Sequence, residues 1–117
     1  MPLVSNQSLF PASISAGGSL TGLVGIAPYT LVGIVTDANW TAQVISLKTS
    51  IDGTTVLPLQ NQAASLSFGT LAASTFMALD PTTLKGVQMI EVQSGAAGSG
   101  VNQTNNTTLT LVCQSIL

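Results

Sequence analysis

Charge is what this chain has least of. Lys and Arg together number 2, Asp and Glu number 4, and histidine is missing from all 117 residues. Both basic residues are lysines, so there is no arginine either. A free monomer usually keeps about a quarter of its residues charged, because scattered charge maintains solubility and suppresses sticking. Here the polar surface falls instead to 13 Ser, 15 Thr, 6 Asn and 8 Gln, a neutral composition that suits a piece of a larger assembly. The formal net charge of −2 is too small to steer binding. Without arginine there is also no bidentate fork for phosphate, which argues against nucleic acid as a partner.

The lack of histidine bears directly on chemistry. General acid–base catalysis needs a group that titrates near neutrality, or a carboxylate shifted by burial or by a neighbour. The carboxylates are Asp37, Asp52, Asp80 and Glu91, and each has a local structural reading: the end of a strand, a turn, a helix cap and the polar face of a strand. Nothing in their spacing pairs two of them across a groove, as glycoside hydrolysis requires. Asp52 next to Gly53 is one carboxylate where a calcium site collects several oxygens, so the turn reading is preferred. The serines have no base to activate them and no Gly-x-Ser-x-Gly elbow around them. No catalytic, cofactor or metal residue is therefore assigned, and the chain is read as a non-enzyme.

Cys113 is the single cysteine, which excludes an internal disulfide and a thiolate metal cluster within one chain. It lies in an alternating run and reads as a small buried hydrophobe. Aromatic residues are scarce as well: one Trp, one Tyr and three Phe. Trp40 has two readings, as an anchor at one end of the core or as a stacking surface for sugar. Phe10 and Tyr29, beside Pro11 and Pro28, are candidate assembly contacts, since aromatic residues are enriched in interface cores.

No charge precedes Asp37, which raises the question of a membrane span in Leu20 to Thr36. That run is shorter than the roughly 20 residues needed, contains Gly22, Gly25, Pro28 and Gly33, and has no flanking Lys or Arg. Met1 to Phe10 has no positive charge, so a secretory n-region is not expected and the chain reads as soluble and untargeted. The Asn-x-Ser/Thr triplets at Asn6, Asn39, Asn102, Asn105 and Asn106 then reflect composition.

What is abundant is aliphatic: fifteen Leu, ten Val and seven Ile. Apolar residues alternate with period two and never keep helical spacing for long, so the chain reads as one all-β domain of about 7–9 short antiparallel strands, a β-sandwich or jelly roll. Leu109, Leu111 and Cys113 point to one side of the clearest strand, with Thr108, Thr110 and Gln114 on the other. Gln88 to Gln93 and Gln43 to Thr49 are further strands. Asp52-Gly53 marks a hairpin from the latter to Thr55–Leu59, because Gly accepts positive φ. Asp80-Pro81 predicts an N-cap and one helical turn near 80–85, stopped by Gly86. Leu-Val-Gly-Ile occurs at Leu23 and again at Leu31, read as two neighbouring strands around a Pro-containing turn. Gly95 to Gly100 and Asn102 to Thr107 read as loop. Residues 1–19 form an arm or first strand, and 20–117 the sandwich.

A spaced set of residues resembles small β-sandwich proteins encoded among the head genes of tailed bacteriophages. The pieces are Ala16-Gly17-Gly18-Ser19-Leu20, Leu31-Val32-Gly33-Ile34, Trp40-Thr41-Ala42, Ser50-Ile51-Asp52-Gly53, Leu84-Lys85-Gly86-Val87, Ser94-Gly95, Val101-Asn102-Gln103 and Leu109-Thr110-Leu111-Val112. The resemblance implies a capsid decoration or cement protein, assembled as a homotrimer or similar oligomer. It implies a seat on the capsid surface of a virion, bridging major capsid protein subunits without catalysis, after synthesis in the host cytoplasm. Gln93 and Thr107 stand where the family pattern has arginine, so contacts made through those arginines are not carried over. No membrane partner or cofactor is expected. A carbohydrate-binding module using Trp40, and a tail or neck component, are the alternative readings.

Overall fold

Strand alternation, not turn chemistry, decides the architecture. The computed structural model describes residues 7–60 and 67–115. One sheet runs in the order β1 (Gln7–Ile14), β10 (Thr107–Gln114), β3 (Thr30–Val35) and β7 (Phe76–Ala78). The other runs β2 (Val24–Gly25), β8 (Met89–Ala96), β4 (Gln43–Thr49) and β5 (Leu57–Pro58), with β6 (Ser67–Leu71) also on β4 and β9 (Ser99–Gly100) also on β8. All pairings are antiparallel. The two sheets pack over one aliphatic core and make an all-β sandwich with a single helical turn, α1 (Pro81–Leu84). No helix among the described residues is long and apolar enough to cross a membrane.

The core is the set that alternation selects. Leu109, Leu111 and Cys113 of β10, Ile45 and Leu47 of β4, and Ile90 and Val92 of β8 are all buried. Leu31 and Ile34 of β3 are buried too, although three residues apart would put them on opposite faces of a regular strand. A bulge resolves this: Val112 pairs with Gly33 but Cys113 pairs with Leu31, so Val32 is the extra residue that returns Leu31 to the core side.

Segment 7–14, where an arm or a first strand was expected, is a strand paired to β10 along its whole length, with Ala12 and Ile14 in the core. The rest of the expected arm, residues 1–6, lies outside the described residues, as does the triplet at Asn6.

Two local expectations are corrected. The repeated Leu-Val-Gly-Ile segments are not neighbouring strands: β2 lies in one sheet and β3 in the other. Between them the chain crosses the sandwich through Ala27-Pro28, a cis peptide, in a turn closed by the Tyr29 N–H on the Ile26 carbonyl at 2.8 Å. The stretch Gly95 to Gly100, expected as loop, is a hairpin in which Gly95 pairs with Gly100 and Ala96 with Ser99. Gly95 has φ +107°, and a Cβ there would sit 2.3 Å from the Ser99 carbonyl oxygen, so only glycine lets β9 fold back this tightly.

The Asp52-Gly53 signal leads from β4 into β5 as expected, through loop residues 50–56, with Lys48 opposite Pro58 and Thr49 opposite Leu57. Asp80 caps α1 by accepting from the Thr82 N–H at 3.0 Å, and Leu84 is tucked into the core.

Candidate functional site

The few ionisable groups are dispersed over separate structural tasks. Asp37 follows β3 and ties it to β10: Oδ1 accepts from the Asn39 N–H at 3.0 Å and from the Thr107 hydroxyl at 2.6 Å, and Oδ2 accepts from the Thr108 N–H at 2.8 Å. Desolvation pushes its pKa up, but these hydrogen bonds together outweigh that and hold the carboxyl below the ordinary Asp value. Asp52 organises the β4–β5 loop by accepting from the Thr55 and Thr54 N–H groups, each at 2.8 Å, and from the Ser50 hydroxyl at 2.9 Å, which brings its pKa down to about 2. Glu91 on β8 stands in register with Lys48 on β4. No group of three or more His, Cys, Asp or Glu side chains that could hold a metal ion occurs among the described residues.

Cys113 is fully buried, and desolvation raises its thiol to about 11. The native protein at about pH 8 should therefore be inert to a thiol-specific disulfide reagent, with one equivalent reacting only in denaturant. A thiol titrating rapidly in the native state would contradict this burial.

Trp40 is 3% exposed and belongs to the core cluster, and its Nε1–H donates to the Leu71 carbonyl at 2.8 Å. Its ring offers no free face for a sugar. Of the four candidate contact residues, Phe10 and Tyr29 come together, with ring centroids 6.1 Å apart and planes tilted by 56°, both half-buried against the core. Pro28 is exposed in the turn beside them. Pro11 is exposed on the opposite side of β1 from Phe10, so the four do not form one patch.

Two surfaces remain. At one end of the sandwich a shallow depression of about 360 Å³ lies between Thr49–Ile51 and Gly86–Gln88. It continues, across Gly86–Gln88, into a second of about 170 Å³ reaching Pro28 and Tyr29. Among the described residues, Lys85 is the only charged one lining either. Ile51, at the rim, is 96% exposed on a loop fixed by the Asp52 hydrogen bonds.

The second surface is the outer face of the four-stranded sheet. None of the residues in β1, β10, β3 or β7 is charged. Register places Leu9, Val112, Gly33 and Ala78 in one row and Pro11, Thr110, Val35 and Phe76 in the next. Sequence reasoning passed over this face, yet one signal was visible: Val112 is an apolar residue on the parity shared by Thr108, Thr110 and Gln114.

No protein-family model matches this chain, and neither does any curated protein or solved structure.

Proposed function

We propose that this protein is a non-catalytic structural subunit of a virus particle, a decoration protein that docks as a homo-oligomer on major capsid protein and holds neighbouring subunits together. The observation that carries this reading is the pairing of a β-sandwich with a surface almost devoid of charge, on which large apolar side chains such as Ile51, Leu9 and Phe76 stand in solvent. A free soluble domain ordinarily carries about a quarter of its residues as charges, whereas a subunit whose surface is covered by its neighbours can do without them. A clamp of this kind works by shape complementarity repeated over many symmetric sites, and avidity makes up for weak single contacts. It needs neither a nucleophile nor a proton-transfer group.

Occupancy on purified shells of the virus whose genome encodes the chain tests the reading, with sedimentation separating bound from free protein. Binding should saturate at a fixed ratio to the major capsid protein. It should also change less than about twofold between roughly 0.1 and 1 M salt, where the screening length falls from about 10 to 3 Å, because so few ion pairs can form. Failure to bind shells overturns the proposal, and steep loss of binding with salt overturns its uncharged mode of contact.

A further inference from the structure

One Asp or Asn in the whole chain is followed by glycine, Asp52 before Gly53. Such a pair is a chemical weak point, because glycine has no Cβ to keep its amide nitrogen away from the preceding carboxyl carbon. In the reaction the Gly53 nitrogen bonds to Asp52 Cγ and gives up its proton, while the protonated carboxyl sheds its hydroxyl, so that one water leaves. The product is a five-membered imide. Water then adds back at either imide carbonyl, and opening at the main-chain carbonyl routes the backbone through the Asp52 side chain. The result is an isoaspartate, with one extra methylene in the chain.

In the β4–β5 loop both reacting groups are already engaged elsewhere. The Gly53 N–H donates to Ser50 Oγ at 2.9 Å, and the Asp52 N–H reaches the same oxygen at 3.3 Å. Asp52 Oδ1 accepts from the Thr54 and Thr55 N–H groups, each at 2.8 Å, and from the Ser50 hydroxyl at 2.9 Å. We infer that Ser50, with the Thr54 and Thr55 amides, protects the Asp52-Gly53 bond from isomerisation by holding the attacking nitrogen and the carboxylate it would attack in separate hydrogen bonds. Ser50 is the positioning residue, since its one hydroxyl grips both. It is 3% exposed, which keeps that hydroxyl under the loop and out of bulk water. The same donors favour the ionised carboxylate and bring its pKa down to about 2, whereas loss of water needs the protonated form. Asp80 needs no such protection, because Pro81 has no N–H with which to attack. An added methylene at residue 52 would slacken the loop that presents Ile51 and that sets Thr49 opposite Leu57. The inference goes beyond the proposed function and does not rest on it.

The test incubates the full chain beside a synthetic peptide of residues 48–58 at neutral pH for several weeks, then measures isoaspartate at residue 52 by digestion and electron-transfer mass spectrometry. The folded chain should accumulate it at less than about one tenth of the peptide's rate, the factor that a single hydrogen bond to a charged group corresponds to. Ser50→Ala frees the nitrogen and removes one donor from the carboxylate, and should speed isomerisation of the folded chain about tenfold while circular dichroism stays that of the parent. Equal rates in chain and peptide overturn the inference. So does a Ser50→Ala variant that folds like the parent and isomerises no faster. If that variant does not fold, the comparison of parent and peptide decides alone.

Discussion

Trp40→Ala should lower the stability of the fold by about 4 kcal/mol, a loss of roughly 15 °C in melting temperature for a domain of this size. The ring is almost wholly buried and is the largest side chain in an otherwise aliphatic core, so its removal leaves a cavity that rigid strands on either side cannot close. It also leaves the Leu71 carbonyl without the 2.8 Å hydrogen bond from Nε1–H. That bond fixes the segment after β3 to the end of β6, which links the two sheets at this end. Trp40→Phe restores most of the apolar volume but not the donor, and should cost about half as much. Urea unfolding followed by far-ultraviolet circular dichroism is the appropriate measurement, because the substitution removes the only tryptophan and with it the intrinsic fluorescence signal. A change below about 1 kcal/mol for Trp40→Ala would contradict its place in the core.

The strands that could be read from the sequence were those in which apolar and polar residues alternate, even where, as in β8 with Glu91 and Gln93, the polar side is buried as well. In β10 the alternation of Leu109, Leu111 and Cys113 with Thr108, Thr110 and Gln114 marks both the strand and its buried side, and the same holds for Ile45 and Leu47 in β4. Asp80-Pro81 announced α1 because the cap and the first helical residue are local requirements. What could not be read depends on partners distant in sequence. Val32 is an extra residue only relative to the register of β10, and β2 and β3 separate into different sheets only because β8 and β10 claim them. The Gly95–Gly100 hairpin was hidden by composition: small residues that look like a flexible loop are needed there so that two backbones can meet without a Cβ between them.

The candidate surfaces were legible to a different degree. Scarcity of charge carries the expectation of an assembled protein but names no surface. Pairing of Phe10 with Tyr29 follows from proximity across the fold, not from their neighbouring prolines. The outer row of Leu9, Val112 and Gly33 emerges only when β1, β10 and β3 are laid side by side in register. Lys48 and Glu91 stand in register on the other sheet, and Asp37 sits at the end of this one, bonded to Thr107 and Thr108, so no strand of this face carries a charge. Neither lysine nor any carboxylate interrupts it.

Gln103 is the residue whose role the sequence concealed most completely, since it sits in a polar run that reads as loop. It is 2% exposed. Its Oε1 accepts from the Thr41 N–H at 2.7 Å, while Nε2 donates to the Thr41 carbonyl and to the Ser94 hydroxyl, each at 3.0 Å. Its backbone N–H and carbonyl exchange 2.8 Å hydrogen bonds with Gly18 and Gly17. The side-chain amide thus ties the segment leaving Trp40 to β8, while the backbone of the same residue ties both to the turn after β1. Gln103→Leu keeps nearly the same volume but withdraws three partners at once, leaving the buried Ser94 hydroxyl unpaired, and should cost about 3 kcal/mol in urea unfolding. Gln103→Glu separates packing from hydrogen bonding. Its ionised carboxylate can accept from the Thr41 N–H but would face the Thr41 carbonyl with no proton to offer, so the folded state favours the protonated acid and raises its pKa above the unfolded value of about 4.3. The native state then binds more protons than the unfolded one at neutral pH, so the variant loses stability as pH rises through the folded pKa. The gap between Gln103→Glu and the parent should accordingly be smaller at about pH 4 than at about pH 7. A gap that widens on acidification, or a Gln103→Leu variant within about 0.5 kcal/mol of the parent, would mean that this amide does not hold Thr41 and Ser94 together.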